Sequence, residues 1–160
     1  MKGNDQVIEL LNEGLCAELT AINQFFIHSR MNSDWGYDVL AKKYYEESIE
    51  EMKHAETIID RILFLEGVPN MQKYHKILVG ATVPEQFEND LKLEMDAVEL
   101  YNKGRKVSAK VGDNASRAIF EALLTDEEGH VDWLETQIHI IKEIGLQHYL
   151  AQHMETPTAG

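Results

Sequence analysis

From Asp5 to Ser33, apolar residues recur at Ile8, Leu11, Leu15, Ile22 and Phe25. Spacings built from threes and fours put these side chains on one face of a long helix. Glu18 falls inside the same stripe. The run Ser33-Asp34-Trp35-Gly36 offers capping side chains and a glycine. The first helix should therefore end there and a second begin at once, as a helical hairpin. That second helix, to about Leu65, aligns Leu40, Tyr44, Glu47, Glu51, His54, Ile58 and Ile62. Its inward face thus holds two acids and a histidine.

Gly67-Val68-Pro69 stops the second helix, and no clear period follows until about Ala81, which predicts a long connection. Thr82-Val83-Pro84-Glu85 has the form of a capping box with proline in the first turn. The third helix begins there and carries Phe87, Leu91, Glu94, Val98 and Tyr101 on one face. Gly112-Asp113 repeats the stop-and-cap pattern, and a fourth helix to about Ile144 aligns Phe120, Leu123, Glu127, His130, Leu134 and Ile141. Gly145 suits the position just past a helix end. A short amphipathic piece from Leu146 to about Met154 follows, with Tyr149 and Leu150, and the tail Glu155 to Gly160 is polar and expected to be loose.

Four helices of about 30 residues, each about 45 Å long, joined by two tight turns and one long connection, predict an all-α four-helix bundle with a short fifth helix. A connection of about 15 residues can span a helix length when extended, so helix three is expected to run parallel to helix two. Residues 1–154 are expected to form one domain.

Composition narrows the function. The 160 residues are 44% hydrophobic and 27% charged, as in an ordinary globular protein. A formal charge of −13 opposes nucleic-acid binding, which needs a basic surface. It suits cations as clients, or serves solubility alone. The single cysteine, Cys16, excludes an internal disulfide. No signal-like or membrane-spanning apolar run is present, which predicts a cytoplasmic protein.

The candidate chemistry lies in the acids within the apolar stripes. Glu51 and His54 stand at i and i+3, a spacing that shares a helix face. Glu127 and His130 repeat the pair 76 residues later, and Glu18 and Glu94 are related by the same interval. Glu18 and Glu51 lie equally far from the first hairpin turn, and Glu94 and Glu127 nearly so from the second, so all four carboxylates reach about the same height. Burying four carboxylates beside two imidazoles costs several kcal/mol per unpaired ion unless cations accompany them. Two divalent ions would supply that charge. Alternatively, Glu18 and Glu94 sit at the stripe edges and reach water. Carboxylates with one imidazole per metal suit iron or manganese, and zinc can occupy such sites too. Glu51 and Glu127 are assigned as bridges, with Glu18 and His54, and Glu94 and His130, as terminal ligands.

Several stretches carry a resemblance to the bacterioferritins, the haem-containing ferritins. They are Ala21-Ile22-Asn23-Gln24, Asp34-Trp35-Gly36, Glu50-Glu51-Met52-Lys53-His54-Ala55, Arg61-Ile62-Leu63-Phe64-Leu65-Glu66-Gly67, and Asp126-Glu127-Glu128-Gly129-His130 with Trp133-Leu134-Glu135. The resemblance implies a ferritin-like bundle with a long crossover between helices two and three. It further implies a ferroxidase that converts Fe(II) to Fe(III) with dioxygen or hydrogen peroxide at a di-iron centre. Mineral would be stored in a shell of about two dozen subunits, built from this chain alone or with a second subunit type. It also implies that the fifth helix, with Leu146 and Tyr149, closes pores in that shell. Met52 would be an axial ligand of b-type haem at a two-fold subunit interface, on a flank with Tyr45, Ile49 and Ile59, facing Leu19, Asn23 and Phe26. A ferredoxin-type reductant would release iron.

The chain departs from relatives at Phe25, where a tyrosine is common, although Tyr101 occupies the repeat-equivalent place. It also has Glu46 where some relatives have histidine. Glu46, Glu47 and Glu50 form either an acidic intake patch or a solvated face. His28, His75, His139, His148 and His153 lack paired spacing and are expected at the surface. The rival function is a di-metal oxygenase acting on an organic substrate, against which a chain of only bundle length leaves no second layer for a substrate pocket.

Overall fold

A computed structural model describes residues 1–155. Five helices follow in order: α1 Asp5–Asp34, α2 Asp38–Phe64, α3 Val83–Lys110, α4 Asn114–Ile144 and α5 Leu146–Ala151. There is no strand among the described residues, and the architecture is the all-α bundle with a short fifth helix that the pattern predicts. The helix ends have identifiable causes. Asn4 accepts from the N–H groups of Gln6 and Val7 at the start of α1, and Thr82 accepts from Glu85 at the start of α3. Glu85 reaches back to the N–H of Ala81 at 2.7 Å, one residue earlier than a capping box would have it. Asp113 caps α4 through Ser116 and also receives Arg61 Nη2 at 2.7 Å, tying the second turn to α2.

Cross-helix hydrogen bonds give the directions. Ser29 Oγ donates to Ala41 O at 2.7 Å and Ser48 Oγ to Ile22 O at 2.9 Å, so α1 and α2 are antiparallel. Gln24 to Asp90 and Asn32 to Gln86, both 2.7 Å, make α1 and α3 antiparallel as well. Helices α2 and α3 therefore run parallel, and residues 65–82 cross the full bundle between them. That crossover has no secondary structure of its own. The side chains of α1 hold it: Asn12 accepts from Asn70 N–H, Thr20 from His75 N–H, Gln24 from Leu78 N–H and His28 from Gly80 N–H.

The buried apolar side chains form two clusters. One holds Leu11, Leu15, Ile58, Ile62, Tyr101 and Phe120. The other holds Phe25, Tyr44, Phe87, Leu134 and Tyr149. Between them lies the band of acids and histidines.

Two expectations need correction. His28 is fully buried because Asp90 and the crossover bond both its nitrogens, and His153 is half-buried, stacked on Tyr149 with centroids 4.0 Å apart. Helix α5 stops at Ala151, short of Met154. Tyr149 is fully buried and donates to Gln137 Oε1 at 2.7 Å. His75, His139 and His148 are exposed as expected. Most of the tail expected to be loose, residues 156–160, lies outside the described residues.

Candidate metal centre

All six predicted residues converge at mid-bundle, one or two from each long helix. Glu18, Glu51, Glu94 and Glu127 are almost wholly buried, and His54 is buried beside them. His130 keeps a small exposed edge. Two overlapping clusters result, each with ligand atoms within 4.8 Å of one another: Glu18, Glu51, His54 and Glu127, and Glu51, Glu94, Glu127 and His130.

Glu51 and Glu127 belong to both clusters, and their oxygens are divided between the two imidazoles. Glu51 Oε2 lies 2.9 Å from His54 Nδ1 and Oε1 lies 3.1 Å from His130 Nδ1. Glu127 Oε1 lies 3.3 Å from His54 Nδ1 and Oε2 lies 3.4 Å from His130 Nδ1. Glu18 faces His54 alone, at 3.7 Å, and Glu94 faces His130 alone, at 3.5 Å. The two rings are 6.4 Å apart and nearly parallel.

These contacts are close but poorly satisfied. Glu51 Oε1, Glu94 Oε1, Glu127 Oε1 and His130 Nδ1 are buried and make no hydrogen bond. A buried polar atom without a partner is costly and calls for an explanation. Four such atoms facing a common space are what ligands arranged for cations look like, so the donor set fits divalent metal.

The protonation pattern follows from the crowding. Burial, then the neighbouring charges of Glu51 and Glu127, push the Glu18 carboxyl well above the usual carboxylate range. Burial and Glu127 do the same to Glu94. Burial works against protonated imidazole at His54, but the carboxylates of Glu127, Glu18 and Glu51 outweigh it and raise the ring far above its ordinary value. His130 is raised likewise, by Glu127, Glu47, Glu51 and Glu94. Burial alone would raise Glu127, yet hydrogen bonds from Glu94, His130 and His54 hold it below the normal range. Protons on these groups offset carboxylate charge, and a metal binding here would have to displace them.

A second ring of residues holds the outer imidazole nitrogens. His54 Nε2 contacts Asp126 Oδ2 at 3.2 Å, and His130 Nε2 contacts Glu47 Oε2 at 2.7 Å and Glu50 Oε2 at 3.5 Å. Such partners fix ring orientation and basicity. Glu46 instead lies outward beside Lys42, so the acidic group at the centre is Glu47 and Glu50. Tyr101 donates its hydroxyl to Glu18. The sequence reading did not single out Asp126 as an imidazole partner, although it repeats Glu50 at the 76-residue interval. It also missed the buried Asp90, one turn before Glu94.

Met52 points away from this centre and is 52% exposed, in company with the exposed Tyr45 and Phe26. Ile49 and Ile59 are half-buried beneath them. No helix among the described residues is long and apolar enough to cross a membrane.

The ferritin-like domain family matches residues 8–144. The bacterioferritin of Rhodobacter capsulatus is 54% identical over 147 residues, covering 92% of this chain and 91% of its own. That of Brucella melitensis biotype 1 is 50% identical over 149 residues, covering 93% and 92%. A solved structure of the R. capsulatus protein, described with a metal-free dinuclear site and haem iron in a crystallographic special position, superposes with a TM-score of 0.97 over all of both chains at 51% identity. With that likeness along its whole length and its own convergent carboxylates and imidazoles, the chain belongs to the bacterioferritin family.

Proposed function

We propose that this chain is a cytoplasmic iron-storage subunit that oxidises Fe(II) at the six-residue centre and passes Fe(III) to a mineral inside a closed shell of its own copies. Residues 1–154 act as one domain, since α1–α4 frame the centre together. The observation that carries the proposal is the division of Glu51 and Glu127 between two imidazoles, with their inward oxygens unpartnered. Two Fe(II) ions, the substrate, together supply the two electrons that dioxygen takes in becoming hydrogen peroxide, or that hydrogen peroxide takes in becoming water.

The chain's own groups do the rest. Glu51 and Glu127 hold both ions at once, while Glu18 with His54, and Glu94 with His130, complete one ion each. Loading drives protons from Glu18, Glu94 and both imidazoles. Asp126 Oδ2, Glu47 Oε2 and Glu50 Oε2, all near the outer Nε2 atoms, keep Nδ1 turned toward the ions. Glu47 and Glu50 also present acid at the outer edge of His130, where an arriving cation would first be held.

For haem, the chain offers one thioether on an exposed apolar flank. That donor fits a b-type haem shared by two chains, which Met52 from each would hold. When bound, the haem would supply one-electron exchange between the stored iron and an external ferredoxin-type reductant. The special position of haem iron in the R. capsulatus structure supports this arrangement.

The double variant Glu51→Ala, Glu127→Ala tests the centre. Stopped-flow oxidation of Fe(II) should lose its rapid phase while sedimentation still shows an assembled particle. Unchanged initial kinetics would rule out the site.

A further inference from the structure

The 76-residue interval that relates the ligands also relates the side chains behind them, and there the two halves part. Phe25 and Tyr44 have ring centroids 6.2 Å apart at 38°, and their counterparts Tyr101 and Phe120 lie 6.1 Å apart at 40°. The ring pair is repeated, with its one hydroxyl exchanged between helices. In the half that holds Glu18 and His54, Tyr101 donates directly to the ligand Glu18. In the half that holds Glu94 and His130, Phe25 has nothing to donate, and Tyr44 donates instead to Asp90 at 2.7 Å.

Asp90 has Gly14 as its counterpart. A Cβ there would come within 3.1 Å of the Tyr101 ring and 3.3 Å of Ile58 Cδ1, so glycine leaves the room in which Tyr101 reaches Glu18. His28 has Gly104 as its counterpart, whose side-chain space the Phe120 ring fills at 2.6 Å. Gln24 has Leu100. One half of the centre is therefore backed by Gln24, His28, Tyr44 and Asp90, the other by Leu100, Gly104, Phe120 and Gly14.

Asp90 is fully buried and receives Gln24 Nε2 at 2.7 Å, Tyr44 Oη at 2.7 Å and His28 Nδ1 at 3.1 Å. His28 Nε2 accepts the N–H of Gly80 at 3.0 Å, which leaves the proton of a neutral ring on Nδ1. Three neutral donors and no acceptor surround a group that, when ionised, only accepts. Asp90 is thus a buried carboxylate without a counter-ion. It lies one helical turn from Glu94, and the two line, with His130, one cavity of about 20 Å³, enough for about one water.

We propose that Asp90 sets the order of filling: its buried charge makes the Glu94–His130 half the first to take a divalent cation, and the Glu18–His54 half the second. This rests on the two-metal function above. In the second half the neutral Tyr101 phenol already satisfies one oxygen of the terminal ligand and Gly14 stands in the place of Asp90; at the outer ring edges Asp126 faces His54, and Glu47 and Glu50 face His130, which adds to the same bias. An uncompensated interior charge attracts a cation across several ångströms, because little solvent intervenes.

The test is anaerobic titration of the assembled protein with Co(II) alone, followed by calorimetry and visible absorption. Wild type should bind in two resolved steps per chain. Asp90→Asn should weaken the first step by well over tenfold, since one lost interaction with a doubly charged ion at an effective dielectric near 20 exceeds that factor at any distance within the centre, and should weaken the more distant second step less. Tyr44→Phe disturbs the same network but keeps the charge, so its first step should stay at least as tight as wild type. Equal weakening in Tyr44→Phe and Asp90→Asn would show a packing effect and overturn the proposal. Glu18→Ala should retain the tighter step and Glu94→Ala the weaker one. The reverse order would overturn it even if Asp90→Asn failed to fold. Two tight ions per chain in both alanine variants would instead refute the two-metal centre itself.

Discussion

Metal loading should raise thermal stability by an amount that separates bridging from terminal ligands. At free metal about a hundredfold above its dissociation constant, each site contributes about 2.7 kcal/mol, so two sites contribute about 5 kcal/mol. For a chain of this size about 2–4 °C accompanies each kcal/mol, giving a rise of about 10–20 °C. Glu18 faces only His54, so Glu18→Ala should forfeit about half of that rise. Glu127 places one oxygen near each imidazole, so Glu127→Ala should forfeit nearly all of it. Calorimetric melting of each variant with and without Zn(II) decides the matter. Equal rises in Glu18→Ala and Glu127→Ala would refute the bridging assignment. The pH dependence has a definite sign. Glu18 and Glu94 hold protons above the usual carboxylate range, and both imidazoles hold theirs above the usual imidazole range. These protons belong to the metal-free state and are released on loading. The metal-induced rise should therefore shrink as pH falls and grow as pH increases through the neutral range.

Met52→Leu should abolish the visible haem bands of the purified particle without slowing initial Fe(II) oxidation, since Met52 points away from the centre; an unaltered spectrum would exclude the axial role. Gly104→Ala should lower stability by about 1–3 kcal/mol, as overpacking does, because the added methyl meets the Phe120 ring within 2.7 Å. Denaturant unfolding measures this, and an unchanged midpoint would mean that Phe120 has room to move.

The convergence of the six residues was legible in the sequence because chemistry and period coincide there. An acid inside an apolar helical stripe is conspicuous, and its repetition at one fixed interval places the partners without a structure. Helix ends were legible for a related reason: Thr82, Asp113 and Gly112 act on backbone within a few residues of themselves. What sequence could not give was the partner of a lone polar residue. His28 is buried because Asp90 and Gly80 reach it from 62 and 52 residues away. The crossover was hard to read because its backbone is satisfied by side chains of α1, which leaves no periodic trace in its own residues.

The two hairpins divide the centre so that neither owns a complete half of it. The first contributes Glu18, Glu51 and His54, but the second oxygen-rich wall, Glu94 and Glu127, comes only from the later half of the chain. During synthesis the leading hairpin emerges first, carrying too few ligands to hold an ion firmly. Under the proposed function, redox chemistry would therefore wait until the trailing hairpin has docked, sparing a nascent chain oxidation by the metal it would later handle.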